Sequence, residues 1–305
     1  MTLAEQLGAV IGRAQICEHE PMKNHTTFRI GGPADVFVSP ETEESLICGL
    51  KWCREQNVPF YVIGNGSNLL VGDKGFRGVI FQVCKNLEAV EAGESETEIY
   101  VRAGAGVMLA KLAKDISSRG YTGFEFATGI PGTLGGAVTM NAGAYGGEMK
   151  QVIQSVRAVN MAGDILELPA EALDMGYRTS RIQKEQLIVL SAVLKFSRGD
   201  AAKISERVEE LTRQRKEKQP LEYPSAGSTF KRPEGYFAGK LIQDAGLKGY
   251  RVGDAMVSEK HSGFVINAGA ATASEVRQLM RNVDAVVYDK FGVHLEPEVR
   301  LIGEF

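Results

Sequence analysis

The chain has 305 residues, of which 44% are hydrophobic and 24% are charged, and its formal net charge is −3 at pH 7. This length exceeds what one hydrophobic core usually serves, so we expect two domains or more. The small negative charge argues against nucleic acid as a partner. The absence of an apolar run of about 18 residues argues against a membrane span, and no feature of the sequence indicates an obligate protein partner.

The first element and the cysteines both favour a cytoplasmic protein. Residues 1–13 have an amphipathic pattern without a basic leader, which predicts a short helix and not a signal peptide. The cysteines form no CxxC pair, which favours reduced, buried thiols over disulfides or zinc. They are Cys17, Cys48, Cys53 and Cys84. Since no His, Cys and carboxylate cluster has ligand spacing, no metal site is expected.

Hydrophobic periodicity predicts strands that alternate with helices. The predicted strands are 35–40, 60–63, 78–83, 99–103, 151–160, 187–196 and 262–266, and the predicted helices are 41–57, 106–119, 200–218, 236–245 and 273–290. The tract 123–147 has eight glycines in 25 residues and is predicted to be rich in loops. This order of elements indicates a mixed α/β or α+β protein. A charged helix replaces an apolar strand near residues 198–200, which makes this the predicted domain boundary.

A first glycine loop, Gly64–Asn68, follows the predicted strand 60–63. Its glycines allow backbone N–H groups to approach a ligand such as a pyrophosphate, and Ser67 and Asn68 add side-chain donors. Leu69 stands where a Rossmann motif needs its third glycine, and the lysine of a P-loop is missing. Taken alone, the loop fits an anion-binding loop of another kind and a tight turn between strands equally well.

A second glycine cluster extends from Thr128 to Gly146. Glycines have no side chain, and they lose more backbone conformational entropy on folding than other residues do. This cost is tolerated mainly where the backbone must lie against a large, flat ligand, and a flavin with its ribityl chain fits that description. A flexible surface loop is the weaker alternative, because Ile130, Pro131 and Leu134 are too apolar for a solvated linker.

Further motifs occur in a fixed order around these two segments. They are Asn24–Ala34, Tyr177–Arg181, Ala226–Lys231, Leu247–Gly249 and Leu295–Val299. Together with the glycine segments, this set resembles the UDP-N-acetylenolpyruvoylglucosamine reductases, in the shorter branch of that family that lacks an extra tyrosine-bearing loop. The resemblance covers nearly the whole chain, and an ordered set of motifs is much more specific than one glycine motif.

The resemblance implies an α+β fold with a two-part FAD-binding domain of the vanillyl-alcohol-oxidase type. We expect that domain at residues 1–199, with subdomains that divide near residue 85. A smaller α/β substrate-binding domain is expected at 200–305, with its C-terminal segment returning to the active site. The implied activity is the reduction of UDP-N-acetylenolpyruvoylglucosamine to UDP-N-acetylmuramate, a peptidoglycan precursor, with non-covalent FAD and with NADPH as hydride donor.

The resemblance also assigns candidate cofactor-binding residues to both glycine segments. In the first they are Gly64, Asn65, Gly66, Ser67 and Asn68, and in the second they are Gly129, Ile130, Pro131, Gly132, Thr133, Gly135, Gly136, Ala137, Asn141, Gly143, Ala144 and Tyr145.

Three residues match the catalytic positions of the family. Arg178 would hold the substrate carboxylate and stabilise the negative charge that hydride addition develops. Ser228 would supply the proton to the carbon next to the carboxylate. Glu298 would hydrogen-bond the enolic species or help to return the proton. Without the motifs, a surface arginine, a turn serine and an exposed acid at a strand end would be the ordinary interpretations.

A basic stretch at residues 213–232 suits the diphosphate of the substrate. It has six cationic residues and two acidic ones, an excess of +4 (6 − 2), and part of it is expected to be a solvated helix face. Lys218, Lys231 and Arg232 flank Ser228 and are the candidate substrate contacts, together with Tyr177. Arg232 replaces the asparagine that is common in this motif, so the contacts to phosphate or sugar are expected to differ.

Two other functions remain open from the sequence. An alcohol or sugar oxidase on the same FAD scaffold often binds the flavin covalently through His or Cys, and the four histidines here lie outside the glycine segments. A nucleotide-sugar transferase or binding protein would use the glycine segments for UDP alone and would not become yellow with FAD.

Overall fold

The structure is a computed structural model that describes residues 1–94 and 98–305. The helices are α1 (Leu3–Ile11), α2 (Glu43–Glu55), α3 (Leu109–Ser118), α4 (Leu134–Thr139), α5 (Arg181–Lys184), α6 (Ala201–Lys218), α7 (Ala238–Asp244) and α8 (Ala273–Phe291). The strands are β1 (Ile16–Pro21), β2 (Pro33–Val38), β3 (Phe60–Ile63), β4 (Leu69–Val71), β5 (Phe76–Gln82), β6 (Val90–Glu94), β7 (Ile99–Gly104), β8 (Tyr121–Thr122), β9 (Gly143–Ala144), β10 (Gly147–Glu148), β11 (Ile153–Val159), β12 (Ile165–Pro169), β13 (Ile188–Arg198), β14 (Ser225–Ser228), β15 (Arg251–Val252), β16 (Ala255–Val257), β17 (Phe264–Asn267) and β18 (Arg300–Ile302).

Contacts divide the chain into two compact units. The first comprises Met1–Glu18, Val36–Asn65 and Gly78–Gln214, and the second comprises His19–Asp35, Gly66–Arg77 and Arg215–Phe305. This division differs from the predicted boundary at 199/200, because most of α6 belongs to the first unit and two N-terminal segments belong to the second. The assignment of FAD and substrate to separate domains stays a prediction.

The first unit contains all of β3 and parts of β1, β2 and β5, which form a four-stranded sheet of order β1-β2-β5-β3 with β3 and β5 parallel. Its larger sheet has the order β12-β11-β13-β7-β6, with antiparallel pairs throughout, and β8 pairs with the end of β13. One core of this unit includes the fully buried Leu46, Phe81 and Phe124. Burial of these large apolar side chains provides the main driving force for folding of this unit.

Local signals define the ends of the helices in this unit. Thr2 caps α1 with a capping box that includes Glu5, and Thr42 caps α2 in the same way with Ser45. Helix α3 is amphipathic, and Gly120 follows it with a φ of 73°. A glycine at this position ends a helix without the steric cost that a side chain would add.

The second unit has its own sheets and core. Strands β14, β17, β16 and β15 form an antiparallel sheet in that order, and β4 pairs with β18 in parallel. The long helix α8 buries Val276, Leu279 and Val283, and the same core contains Phe28 and Leu70. Segments that are far apart in sequence therefore share one core.

The tract 123–147, predicted to be rich in loops, also contains two short elements that were not predicted. Residues 134–139 form α4, and residues 143–148 form the β9–β10 hairpin. Two adjacent glycines lower the intrinsic helix propensity of α4, but burial of Leu134, Ala137 and Val138 stabilises it. The predicted helix at 236–245 is shorter, α7, and the short strands β14, β15, β16 and β18 were not predicted.

The cysteines are free thiols in the structure, but their predicted burial holds only for Cys53. Burial raises the pKa of Cys53 to about 12, so this thiol stays protonated and unreactive near neutral pH. Cys17 is exposed, which corrects the prediction of four buried thiols. Among residues 1–94 and 98–305, no helix combines the length and apolar character needed to cross a membrane.

The N-terminus of α8 is held by Asp73. The carboxylate accepts hydrogen bonds from the Ala273 amide at 2.7 Å, the Ser274 amide at 2.9 Å and the Ser274 hydroxyl at 2.6 Å. Partial burial alone would raise the pKa of Asp73. The hydrogen bonds from Ser274 and Ala273 outweigh it and lower this pKa below its ordinary value of 3.8.

We expect Asp73→Asn to reduce stability in a pH-dependent manner. A carboxylate whose pKa is lower in the folded state stabilises that state at pH values above the unfolded-state pKa. This contribution is lost as the pH falls through the folded-state pKa. For a largely exposed carboxylate at a helix N-terminus, about 0.3–1 kcal/mol is expected near neutral pH. Thermal unfolding, followed at a series of pH values from 7 to 3, measures this contribution to stability. The gap between wild type and Asp73→Asn should shrink in acid, Ser274→Ala should give a smaller gap, and a pH-independent gap would contradict this account.

Candidate active site

The two predicted glycine segments meet within the first unit. The Asn65 side-chain amide donates a hydrogen bond to the Pro131 carbonyl oxygen at 2.6 Å. Gly64 lies so close to Thr133 that an added Cβ would be 2.2 Å from Oγ1 of that threonine. Glycine at position 64 therefore permits the close approach of the two segments, which supports a shared role for them.

We expect Gly64→Ala to weaken flavin binding, because the new Cβ would collide with the Thr133 side chain and force the two segments apart. The Gly64→Ala/Thr133→Ala variant removes the closest atoms and leaves only the Cβ contact at 3.2 Å, so it should recover part of the affinity. The measurement is a fluorescence titration of the apoprotein with FAD, with thermal unfolding as a check on folding. Equal FAD affinity in Gly64→Ala and wild type would show that this approach does not shape the FAD site.

The remainder of the first loop belongs to the second unit. Gly66 has a φ of 61°, and a Cβ there would lie 2.0 Å from the His25 carbonyl oxygen, so only glycine fits. The Thr27 amide donates to the Gly66 carbonyl oxygen at 3.3 Å. Asn68 uses its side-chain amide to donate to the Glu298 carbonyl oxygen at 3.1 Å, and the half-buried Ser67 lies between these anchored residues.

The second segment is anchored to the chain that enters α3. The Leu134 amide donates to the Val107 carbonyl oxygen at 2.8 Å, and the Gly135 amide donates to that of Ala105 at 2.9 Å. Thr133 is buried, whereas Gly136 is exposed and a Cβ there would meet only Thr133 Oγ1, at 3.7 Å. One side of α4 is thus packed and the other presents backbone with few side-chain atoms.

The hairpin β9–β10 follows, with Tyr145 and Gly146 at its turn. Their φ angles are 52° and 86°, the combination of a type I′ turn that suits a two-residue hairpin. Tyr145 is 36% exposed. Gly143 and Ala144 are half-buried, as are Gly129, Ile130 and Gly132, whereas Pro131 is exposed and Ala137 is buried.

Arg178 lies at the tip of a tight turn beside this hairpin. Gly176 and Thr179 exchange both backbone hydrogen bonds, at 3.0 and 3.3 Å, with Tyr177 and Arg178 between them. The guanidinium of Arg178 donates to the Gly143 carbonyl oxygen at 3.4 and 3.5 Å and lies 5.4 Å from the Tyr177 ring centroid. The structure thus brings Arg178 to a predicted cofactor-binding residue.

Ser228, at the end of β14, and Glu298, in the segment before β18, both belong to the second unit and are joined through Thr229. Thr229 donates its amide to the Gly263 carbonyl oxygen at 2.9 Å and accepts from the Glu298 amide at 2.8 Å. Its buried hydroxyl accepts from the Val265 amide at 2.8 Å. Ser228, predicted in a short polar segment, ends β14 after Gly227, whose φ is 77°. Ser228 and Glu298 are both half-buried.

The residues predicted to contact the substrate have different surroundings. Lys231 pairs with Glu296, and its amide donates to the Glu296 carbonyl oxygen at 2.8 Å. Arg232 is exposed, with its guanidinium 4.5 Å from the centroid of the Phe237 ring. Lys218 is exposed at the last residue of α6, and Tyr177 is 55% exposed in the first unit. The basic stretch at residues 213–232 therefore includes the solvated helix face that was expected.

The glycine segments fit an FAD site in their shape and donor groups. Gly64 allows the close approach of the segments, and Gly136 and Gly146 present backbone where a Cβ would have no contact shorter than 3.7 Å. Such surfaces suit a flat ligand that lies against the main chain. Asn141 differs, because both N–H donors and the Oδ1 of its buried side chain bond to protein groups.

Within each unit, several residues without a role predicted from the sequence hold the backbone of candidate site residues in place. Ser180 is fully buried, donates its hydroxyl to the Thr139 carbonyl oxygen at 2.7 Å and caps α5. Glu148 accepts from Asn141, and Thr229 links Ser228 to Glu298. A serine ahead of a short helix is a cap signal that the sequence could have given for Ser180. In the described ranges, no group of three or more His, Cys, Asp or Glu residues could hold a metal ion.

Comparison with known families agrees with this arrangement. Residues 34–169 match the FAD binding domain family, and residues 219–302 match the UDP-N-acetylenolpyruvoylglucosamine reductase, C-terminal domain, family. The first match contains both glycine segments, and the second contains Ser228, Lys231, Arg232 and Glu298. The predicted fold class, an FAD-binding domain joined to a smaller domain, is confirmed.

Relatives match over nearly their entire length. The UDP-N-acetylenolpyruvoylglucosamine reductase of Lachnoclostridium phytofermentans is 52% identical over 99% of this chain and 97% of its own. That of Clostridium tetani is 50% identical over 96% and 94%. The crystal structure of UDP-N-acetylenolpyruvylglucosamine reductase from Thermus caldophilus superposes with a TM-score of 0.79 at 36% identity, covering 92% of this chain and 97% of that one. The chain belongs to the UDP-N-acetylenolpyruvoylglucosamine reductase family.

Proposed function

We propose that this chain reduces UDP-N-acetylenolpyruvoylglucosamine to UDP-N-acetylmuramate with NADPH, through bound FAD. The observation that carries the proposal is the near full-length identity of 52% to a reductase of that name. The reaction would supply a peptidoglycan precursor and thereby serve cell-wall formation, cell shape and cell division. The proposal includes a cytoplasmic location, since the UDP-sugar substrate and NADPH are cytoplasmic metabolites in bacteria.

The two glycine segments would hold FAD without a covalent bond. Their main-chain amides provide donors for the pyrophosphate, and the backbone near Gly136 and Gly146 provides a surface for flat groups. When bound, FAD supplies the two-electron carrier between NADPH and the substrate. The role of the chain is to bind and orient the reactants and to handle the charge and the proton.

Arg178 would bind the substrate carboxylate. A planar guanidinium offers two parallel donors to a carboxylate, and its permanent charge stabilises negative charge that develops there. Its φ of 55° is uncommon for a non-glycine residue and is maintained by the two backbone hydrogen bonds of the Gly176–Thr179 turn. A rigid turn of this kind suits a group that must be preorganised.

Ser228 would donate a proton to the carbon next to the carboxylate, and Glu298 would hydrogen-bond the enolic species or help to return a proton to Ser228. The side chains of both residues are half-buried, and their backbones are linked through Thr229. A serine hydroxyl is a weak acid, so it can serve only against a strongly basic carbon and from a fixed position. Lys218, Lys231 and Arg232 would neutralise the diphosphate, with Tyr177 as a further substrate contact.

A product assay tests the proposed function. The protein, reconstituted with FAD, should consume one NADPH for each enolpyruvyl substrate and form a product that is heavier by two hydrogens. Denaturation should release the flavin from the chain. NADPH consumption that required oxygen and left the substrate unchanged, or a flavin that remained attached after denaturation, would favour an oxidase and overturn the proposal.

A further inference from the structure

Asn141 is a buried polar residue at the centre of the Arg178 region. It is 1% exposed and has a φ of 43°, in the left-handed region that asparagine tolerates better than most residues. Its side-chain amide donates to Glu148 Oε2 at 2.8 Å and to the Gly176 carbonyl oxygen at 3.0 Å. Its Oδ1 accepts from the Lys150 amide at 2.9 Å.

These bonds link two segments that would otherwise be independent. Glu148 and Lys150 belong to the β9–β10 hairpin and its exit, whereas Gly176 begins the turn that carries Arg178. Arg178 in turn donates to Gly143 at the start of the hairpin. The hairpin and the turn are thus joined both by the Asn141 side chain and by the guanidinium.

The direction of the Arg178 side chain depends on the turn. Since Gly176 donates to and accepts from Thr179, a shift of Gly176 moves the whole two-residue tip. The bond from Asn141 fixes the Gly176 carbonyl, and the bond from Ser180 to Thr139 fixes the other end of the turn. A buried amide with all its partners satisfied is rigid, because breaking any one bond leaves an unpaired polar group in the interior.

We propose that Asn141 is a positioning residue that fixes the Arg178 guanidinium for the substrate carboxylate. This inference rests on the proposed function, in which Arg178 binds that carboxylate. Asn141 touches neither substrate nor reacting atoms in this role and acts through the Gly176 carbonyl. The role differs from the cofactor contact predicted from the sequence.

Asn141→Asp is the variant that tests the role. Aspartate keeps the shape and the acceptor for the Lys150 amide, but it replaces both donated bonds by repulsion from Glu148 and from the Gly176 carbonyl. The Asn141→Asp/Glu148→Gln variant restores the link to position 148 through a glutamine amide and leaves only the Gly176 bond lost. Should the single variant not fold, the double variant carries the test. Glu148→Gln alone is the matched control, since Asn141 can still donate to both positions.

The measurement is the anaerobic rate at which substrate reoxidises the reduced flavin, with flavin reduction by NADPH recorded separately. Misplacement of a reactive group by about 1 Å can cost about 10²-fold, and we expect the reoxidation rate to fall by up to that factor in Asn141→Asp and in the double variant. Reduction by NADPH and the Glu148→Gln control should be nearly unchanged.

A double-mutant cycle with Arg178→Ala separates positioning from a merely structural effect. If Asn141 acts through Arg178, Asn141→Asp should cause no further loss once Arg178 is alanine. Additive losses, or normal reoxidation in Asn141→Asp, would overturn the inference while the proposed function stands. Normal reoxidation in Arg178→Ala itself would instead remove the role proposed for Arg178.

Discussion

Replacement of Arg178 by alanine is expected to slow reoxidation of the flavin by substrate by about 10²–10³-fold, equal to about 3–4 kcal/mol of transition-state stabilisation. The guanidinium would be the preorganised cation for the substrate carboxylate, and water that enters its place cannot be preorganised in the same way. Stopped-flow absorbance under anaerobic conditions measures the rate. Flavin reduction by NADPH should remain close to wild type, because this half-reaction involves no substrate carboxylate.

Two further variants define what Arg178 contributes. Arg178→Lys keeps the charge but loses the two-nitrogen fork that contacts the Gly143 carbonyl, so its rate should lie between wild type and alanine. Arg181→Ala removes a neighbouring arginine that pairs with Glu185 on the exposed side of α5, and it should leave both half-reactions unchanged. Equal rates in Arg178→Ala and Arg181→Ala would contradict the role of Arg178.

Ser228→Ala is the second change with a large expected effect. Positioned acid catalysis contributes about 10²–10⁴-fold, so loss of the hydroxyl should slow substrate-dependent reoxidation by a factor in that range. Alanine preserves the backbone bonds of β14 and of Thr229, so the fold should persist. Solvent-derived deuterium in the product, measured alongside the rate, reports on the proton that Ser228 would deliver.

Ser225→Ala is the matched control for Ser228, because both serines lie in the same short strand. The Ser225 carbonyl oxygen accepts a hydrogen bond from the Thr27 hydroxyl at 2.7 Å. Alanine keeps this backbone carbonyl and therefore this bond. Both half-reactions should therefore match wild type. If Ser228→Ala slowed flavin reduction and reoxidation equally, the defect would lie in flavin binding or folding and not in proton delivery.

Local patterns in the sequence were sufficient for the larger elements. A helix was predicted at 106–119 with Gly120 at its end, and α3 lies within that range and buries Leu109, Leu112 and Ile116. The uninterrupted apolar run in β13 likewise identified a buried strand. These features depend on residues close together in the chain, which is why periodicity and end signals found them.

Other features depend on partners that are remote in sequence. Helix α4 exists because Leu134 and Gly135 bond to the backbone of residues 105–107, which a glycine-rich local sequence does not indicate. Strand β4 pairs with β18 more than 200 residues away, and this pairing places residues 66–77 in the unit that contains the C-terminus. Loop-closing contacts of this length have no local signature.

The candidate site divides in the same way. The glycine segments were evident from composition, and the family resemblance supplied Arg178, Ser228 and Glu298. The bond between Asn65 and Pro131 and the clamp from Asn141 to Gly176 emerged only from the fold. Composition can therefore locate a ligand-binding backbone, but it does not indicate which side chains hold that backbone in place.

If the proposed function is correct, electrons pass from NADPH to an enolpyruvyl sugar nucleotide on this chain. The most direct measurement is anaerobic and uses the reconstituted wild-type protein. NADPH should bleach the flavin, and addition of UDP-N-acetylenolpyruvoylglucosamine should restore its absorbance with formation of an equal amount of UDP-N-acetylmuramate. A flavin that stayed bleached with this substrate and regained its colour only when oxygen was admitted would show that the chain does not reduce it.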